Sequence, residues 1–334
     1  MTTKLSPVWG VLAVMVSLLG CNTTDPEFNA STVPERIQFS SDRLYPEGIT
    51  YAPSIDRFLV SSLTQGKVGV VDPNGRYADF ISDNRLISSL GMKVRDGRLY
   101  VCNSDLGVST KSKPETILKT ASLFVFNLAD RELIKVVRLD SLRPNVPEAH
   151  YFANDITFDE AGNAYITDSF SPVIYKVTPA FEASILKDDP LFGNDPQMAS
   201  MQEINLNGIV YHPDKFLIVV KSSTGELFKV DLVNVGIVKQ VTGVTLKGGD
   251  GMVLVNNDLY VVNGQNRVSL VRSIDGWNTA SVVRTDSIGY DQSTTNVEVS
   301  GRIYTINARI GEVNAAINNA AELQARDYSI QQFK

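Results

Sequence analysis

Six phrases of the sequence follow one plan, and this repetition constrains the fold more than any other feature. They read EGITYAPSIDRFLVSS from Glu47, LGMKVRDGRLYVCN from Leu90, NDITFDEAGNAYITDS from Asn154, NGIVYHPDKFLIVVKS from Asn207, DGMVLVNNDLYVVNG from Asp250 and TNVEVSGRIYTINA from Thr295. Each has a polar or glycine-containing start, an alternating strand, a tight turn at Asp, Asn or Gly, and a second apolar strand. A third strand often follows, as in KVGVVDPNG and ELFKVDL. Alternation with a period of two between such turns is the strand signal. A spacing of roughly 40–50 residues is that of propeller blades. No segment of the middle of the chain carries a convincing helical period. The expected fold is all-β, a six-bladed β-propeller filling residues 35–334 as one domain.

In a propeller the first strand of each blade lines the central channel, and all six run the same way along it. Equivalent strand starts therefore form a ring at one mouth. Here that ring reads Glu47, Leu90, Asn154, Asn207, Asp250 and Thr295. Four of the six are carboxylates or amides, and converging side-chain oxygens suit a hard divalent cation, Ca²⁺ above all. Two carboxylates balance the charge of the ion. No ring position is His or Cys, so the ring does not suggest zinc. Taken singly, each of these residues is also an ordinary turn former at a strand start.

At these same residues the sequence resembles the gluconolactonase, regucalcin and senescence-marker-protein family of six-bladed propellers, related in fold to paraoxonases and strictosidine synthases. The carriers are PEGITY at Glu47, ANDITFDEAGNAYITDS at Asn154, LNGIVY at Asn207 and GGDGMVL at Asp250. The resemblance implies that Glu47, Asn207 and Asp250 hold a divalent metal, with Asn154 a ligand or a partner beside it. It also implies a departure: where regucalcin-type lactonases carry an Arg that grips a sugar acid, this chain has Phe152. Phe152, Leu90 and Thr295 are then the substrate-facing residues, and the mouth is more apolar than a sugar site. Asp250, Asp155 beside the ring and His150 in the loop entering it are the candidate catalytic acid–base groups. His212 falls in the turn YHPDK at the far end of its strand and reads as structural.

The N-terminus stands apart from the fold. One cation, Lys4, precedes an apolar run from Val8 to Leu19, then Gly20 and Cys21. The run is too short to span a bilayer and has the layout of an export signal. Leu18-Leu19-Gly20-Cys21 resembles the bacterial lipobox, which implies lipidation of Cys21, removal of residues 1–20 and anchoring in the cell envelope, at the outer membrane. Residues 21–34 are polar and fit a tether. Cys102, in the apolar strand RLYVCNSD, is the only other cysteine, so there is no disulfide framework, and a buried thiol is expected.

The formal charge of −6 is spread along the 334 residues. No basic patch tracks a nucleic-acid backbone, and membrane contact is expected only through the lipid anchor. The polar insertion at 105–120 is either a lid over one mouth or a surface loop. The tail is expected to hold a short helix and then a strand, DYSIQQF, pairing with ERIQFS to close the ring. Two functions are open: a monomeric Ca²⁺-dependent hydrolase of a small lactone or ester, or a non-catalytic propeller that presents loops to a protein or glycan around a structural cation.

Overall fold

The computed structural model describes residues 1–2, 33–143, 149–193, 204–234, 236–319 and 323–334. The export and lipidation features, Cys21 included, lie outside the described residues. Val33–Lys334 form one compact unit.

That unit consists of six four-stranded antiparallel sheets. From the inside outward, the first blade is β2 (Ile49–Ala52), β3 (Arg57–Val60), β4 (Lys67–Val71) and β5 (Tyr77–Ser82). The second is β6 (Ser88–Arg95), β7 (Arg98–Ser104), β8 (Ala121–Asn127) and β9 (Leu133–Arg138). The third is β10 (Ala153–Phe158), β11 (Ala164–Asp168), β12 (Val173–Val177) and β13 (Ala183–Asp188). The fourth is β14 (Leu206–His212), β15 (Phe216–Lys221), β16 (Glu226–Asp231) and β17 (Val238–Val241). The fifth is β18 (Gly249–Val255), β19 (Asp258–Asn263), β20 (Val268–Arg272) and β21 (Ser281–Asp286). The sixth is built from both ends of the chain: β22 (Ser293–Val299), β23 (Arg302–Asn307) and β24 (Asp327–Gln332), with β1 (Arg36–Ser40) outermost. The fold is a six-bladed β-propeller.

The closure expected from the tail is present. β1 pairs antiparallel with β24 from Arg36↔Gln331 to Ser40↔Asp327. Helix α1 (Ile310–Asn319) bridges β23 to β24. Pairing the two ends in one sheet removes an open edge and ties the circle shut.

Hydrophobic packing runs from blade face to blade face. Ile174 of the third blade meets Leu206, Leu217 and Phe228 of the fourth in one buried cluster. Val220 and Leu227 of the fourth share another with Met252 and Trp277 of the fifth. Truncating such a side chain costs about 2–5 kcal/mol, because the neighbouring blade cannot collapse into the gap.

His212 ends β14, at the opposite end from Asn207, stacked on Phe216 at 4.2 Å with Nε2 3.3 Å from Asn257 Oδ1. Cys102 is fully buried, and burial, then the nearby carboxylates of Asp155 and Glu47, push its thiol pKa up. A thiol so disfavoured as thiolate is not a nucleophile.

Candidate metal centre

The inner strands break register where the ring lies. Pairing shifts between Ser89 and Met92, Ala153 and Ile156, Leu206 and Ile209, Gly249 and Met252, and Ser293 and Asn296. The first four shifts each span a ring residue and its successor. The last spans Thr294 and Thr295, so Thr294 takes the place equivalent to Asn154, and Thr295, expected in the ring from the sequence, takes that of Asp155. A bulge frees a residue from the ladder and re-aims its side chain, and here it brings Leu90, Asn154, Asn207 and Asp250, with Thr294 rather than Thr295, to one level. Glu47 reaches that level from just before β2.

The residue after each ring position explains how six strands approach so closely. Four are glycines, where an added Cβ would strike the next blade: Gly48 at 2.2 Å from Leu90 O, Gly91 at 2.5 Å from Asn154 O, Gly208 at 2.3 Å from Asp250 O and Gly251 at 2.6 Å from Thr295 Cα. No side chain fits there, so the ring is drawn in by missing Cβ atoms.

Three side-chain oxygens of this ring are buried without a protein hydrogen-bond partner: Glu47 Oε2, Asn154 Oδ1 and Asn207 Oδ1. Buried polar atoms are normally satisfied, so each such exception asks for an explanation. The amide of Asn154 is turned by its other end. Its Nδ2 donates to Ser169 Oγ at 2.8 Å, and Ser169 Oγ donates to Leu206 O at 2.7 Å, which leaves Oδ1 unengaged. Asp250 accepts the Gly251 N–H at 2.9 Å.

The charges are equally unsettled. Burial, then the charges of Asp250 and Asp155, push the Glu47 carboxyl well above the ordinary range. Burial, with Asp155 adding to it against the Gly251 N–H and the Asn207 amide, pushes Asp250 up to about 8. Carboxylates held at such cost beside amide oxygens without partners are what a divalent cation would neutralise. Among the described residues no group of three or more His, Cys, Asp or Glu side chains is arranged to hold a metal; two of the ring's four carboxylate or amide side chains are amides.

The other candidates fall around this cluster. Asp155 is buried beside it with both oxygens engaged, Oδ1 on Ile156 N at 2.8 Å and Oδ2 on Ile209 N of the fourth blade at 3.3 Å. It clamps β10 to β14. Thr295 Oγ1 donates to Glu47 O at 2.9 Å, and Thr294 Oγ1 to the same carbonyl at 2.6 Å. Leu90 and Phe152 are buried in the core beside the mouth. His150 is half-buried in the entering loop, and its carbonyl accepts Ser171 Oγ at 2.7 Å.

By sequence, the chain matches no family profile and no curated protein. By structure it aligns with the allergen Mala s 1 of Malassezia sympodialis at TM-score 0.67 and 18% identity, over 90% of this chain and 96% of that one. It aligns with the calcium-binding protein regucalcin of Agrobacterium tumefaciens at TM-score 0.59 and 16% identity, over 87% and 90%. A gluconolactonase of Xanthomonas campestris gives TM-score 0.56 and 12% identity, over 89% of each chain. The chain shares the fold of the gluconolactonases and regucalcin.

Within this gluconolactonase-like fold, one residue of the mouth, Phe170, escapes sequence reading. Phe170 packs edge-on against Phe152 at 5.5 Å and stays half-buried while Phe152 is covered, so Phe170 is the more exposed of the two rings. Only its place just after the strand ending at Asp168 could have flagged it. The insertion at 105–120 is not loose. Asp105 accepts the Gly107 N–H at 2.7 Å and the Ser112 and Thr116 hydroxyls at 2.5 and 2.6 Å, and Lys119 bridges to Tyr151. It braces the second blade against the third, with Leu106 and Val108 packed against the core that holds Leu90 and Phe152.

Proposed function

We propose that the protein is a divalent-cation-dependent hydrolase of a lactone or ester, with Ca²⁺ the preferred ion. The observation that carries this reading is the set of three buried ring oxygens without protein partners, beside two carboxyls whose pKa burial pushes up. Glu47 and Asp250 would bring the compensating charge, Asn154 and Asn207 neutral oxygens. When bound, such an ion supplies Lewis acidity toward a carbonyl oxygen and makes water a better nucleophile.

The chain's own groups do the rest. Asp250 takes the proton of the attacking water, with its carboxylate oriented by the Gly251 N–H. His150, in the loop entering the ring, is the second candidate for that transfer. Phe170, with Phe152 and Leu90 behind it, favours an apolar acyl or alcohol portion over a sugar acid. Two structural neighbours, a gluconolactonase and a calcium-binding regucalcin, support both halves of the proposal. Lipidation of Cys21 would anchor the enzyme to the bacterial envelope as a monomer; Cys21→Ala should release it from membrane fractions.

The test is a panel of aliphatic, aromatic and sugar lactones and aryl esters at fixed Ca²⁺, with wild type and Asp250→Asn. Turnover of the apolar members that falls at least about a hundredfold in the variant, the low end of an acid–base contribution, supports the reading. Full occupancy by the ion with no turnover on any member would make the ion the structural clasp of a binding propeller.

A further inference from the structure

We infer that Glu312, on helix α1, is a positioning residue for Glu47 and acts through Tyr45; this rests on the cation-site reading above. Five ring residues lie at register shifts within their strands, anchored by ladder pairing on both sides. Glu47 alone precedes its strand, which begins at Ile49. Its carbonyl is held by the hydroxyls of Thr294 and Thr295. Its approach is set by the two residues before it.

Those two are Tyr45 and Pro46. Tyr45 has φ +46°, a left-handed conformation that a bulky residue keeps only where its surroundings over-determine it. The following proline has its φ fixed near −65°, so the turn made at Tyr45 passes directly to Glu47. The surroundings that hold Tyr45 are specific. Its N–H donates to Tyr328 Oη at 3.1 Å, and its carbonyl accepts the Leu63 N–H at 3.2 Å. Its fully buried side chain donates its hydroxyl to the Glu312 carboxylate and accepts the Ala325 N–H at 3.0 Å.

Glu312 gathers the rest of the latch. It accepts the N–H groups of Gln324 and Ala325 at 3.1 and 3.0 Å and pairs with Arg309 Nη2 at 3.2 Å. One carboxylate thus joins the helix, the segment leading into β24 and the tyrosine two residues before Glu47. Loss of this latch lets Tyr45 relax, and Glu47 then leaves the position in which its Oε2 is buried without a protein partner.

The experiment measures Ca²⁺ affinity by titration calorimetry on chelator-stripped, folded protein, well below its melting temperature. Tyr45→Phe removes one oxygen and keeps the ring; Glu312→Ala removes the acceptor; Glu312→Gln restores a neutral one. The control is Tyr290→Phe, which deletes a buried tyrosine hydroxyl bonded to Asp286 at 3.3 Å that makes none of the latch's hydrogen bonds. Tyr45→Phe and Glu312→Ala should weaken Ca²⁺ roughly 10–100-fold, the usual effect of losing a group that orients a ligand. Glu312→Gln and Tyr290→Phe should stay close to wild type. Equal affinity in all four variants overturns this inference and leaves the cation site standing. So does equal weakening in the control, which would mark general loosening. A wild type that binds no divalent cation overturns the cation reading and this inference with it.

Discussion

Gly208 abuts Asp250 across the fourth and fifth blades: a Cβ on Gly208 would stand 2.3 Å from the Asp250 carbonyl oxygen and 2.8 Å from Met252 Cγ. The backbone of one ring residue is therefore seated on the bare Cα next to another. Gly208→Ala must push β14 from β18, and overpacking of this kind costs about 1–3 kcal/mol. Thermal melts should show the loss, and Ca²⁺ affinity should fall with it. Gly236→Ala, where nothing lies within 4 Å of the added carbon, is the matched control and should melt like wild type.

The protonation of Asp250 predicts how the ion competes with protons. Its folded, cation-free pKa is raised to about 8, chiefly by burial, against an ordinary value of 3.8. A carboxyl raised in this way favours the folded state while protonated, and that contribution is lost as pH rises from about 4 through about 8. Cation-free protein should therefore lose stability over this window. Added Ca²⁺ should restore more of it at pH 8 than at pH 5, and binding should release protons below pH 8. Calorimetry in buffers of different ionisation enthalpy reads the proton release directly.

Asp155 separates a clamp from a base. Both its oxygens accept backbone N–H groups, one of them from the neighbouring blade. Asp155→Ala would leave the Ile156 and Ile209 N–H groups buried without acceptors, at about 1–3 kcal/mol for each unsatisfied group. Asp155→Asn keeps one acceptor. At saturating Ca²⁺ its turnover should stay within about tenfold of wild type, well short of the hundredfold expected where an acid–base group is lost. A drop as large as that of Asp250→Asn would return Asp155 to the role of base.

Asp168 offers a stability test that does not depend on cation binding. It is fully buried and accepts the N–H groups of Phe152 and Phe170 at 3.0 Å and of Ser171 at 2.8 Å, with Tyr175 Oη at 2.9 Å. It holds the loop entering the ring against the end of β11. Asp168→Ala strands several of these donors and should destabilise the protein by more than about 3 kcal/mol, as expected for a broken buried network. Denaturant melts with chelator present measure it.

The blade count was legible because period-two alternation and Asp, Asn or Gly turns recur at each repeat, and the closure because DYSIQQF and ERIQFS are strand-like at the two ends. The ring was legible at Asn154, Asn207 and Asp250 because each bulge leaves the same polar-then-small or polar-then-acidic pair at a strand start. Other features were not legible. The role of Asp155 depends on Ile209, distant in sequence and adjacent only once two blades meet. The burial of Phe152 depends on Phe170 lying over it. Helix α1 was foreseen, but its tie to Tyr45 arises from tertiary contact between the two ends of the chain.

The most direct test of the ring is the stoichiometry of Ca²⁺ binding to chelator-stripped protein, by titration calorimetry on wild type and on the double variant Glu47→Gln/Asp250→Asn. The account predicts one ion per chain for wild type and its loss in a double variant that still shows the β-sheet circular dichroism of the propeller. A wild type that takes up no ion, or a double variant that binds as tightly as wild type, would contradict it.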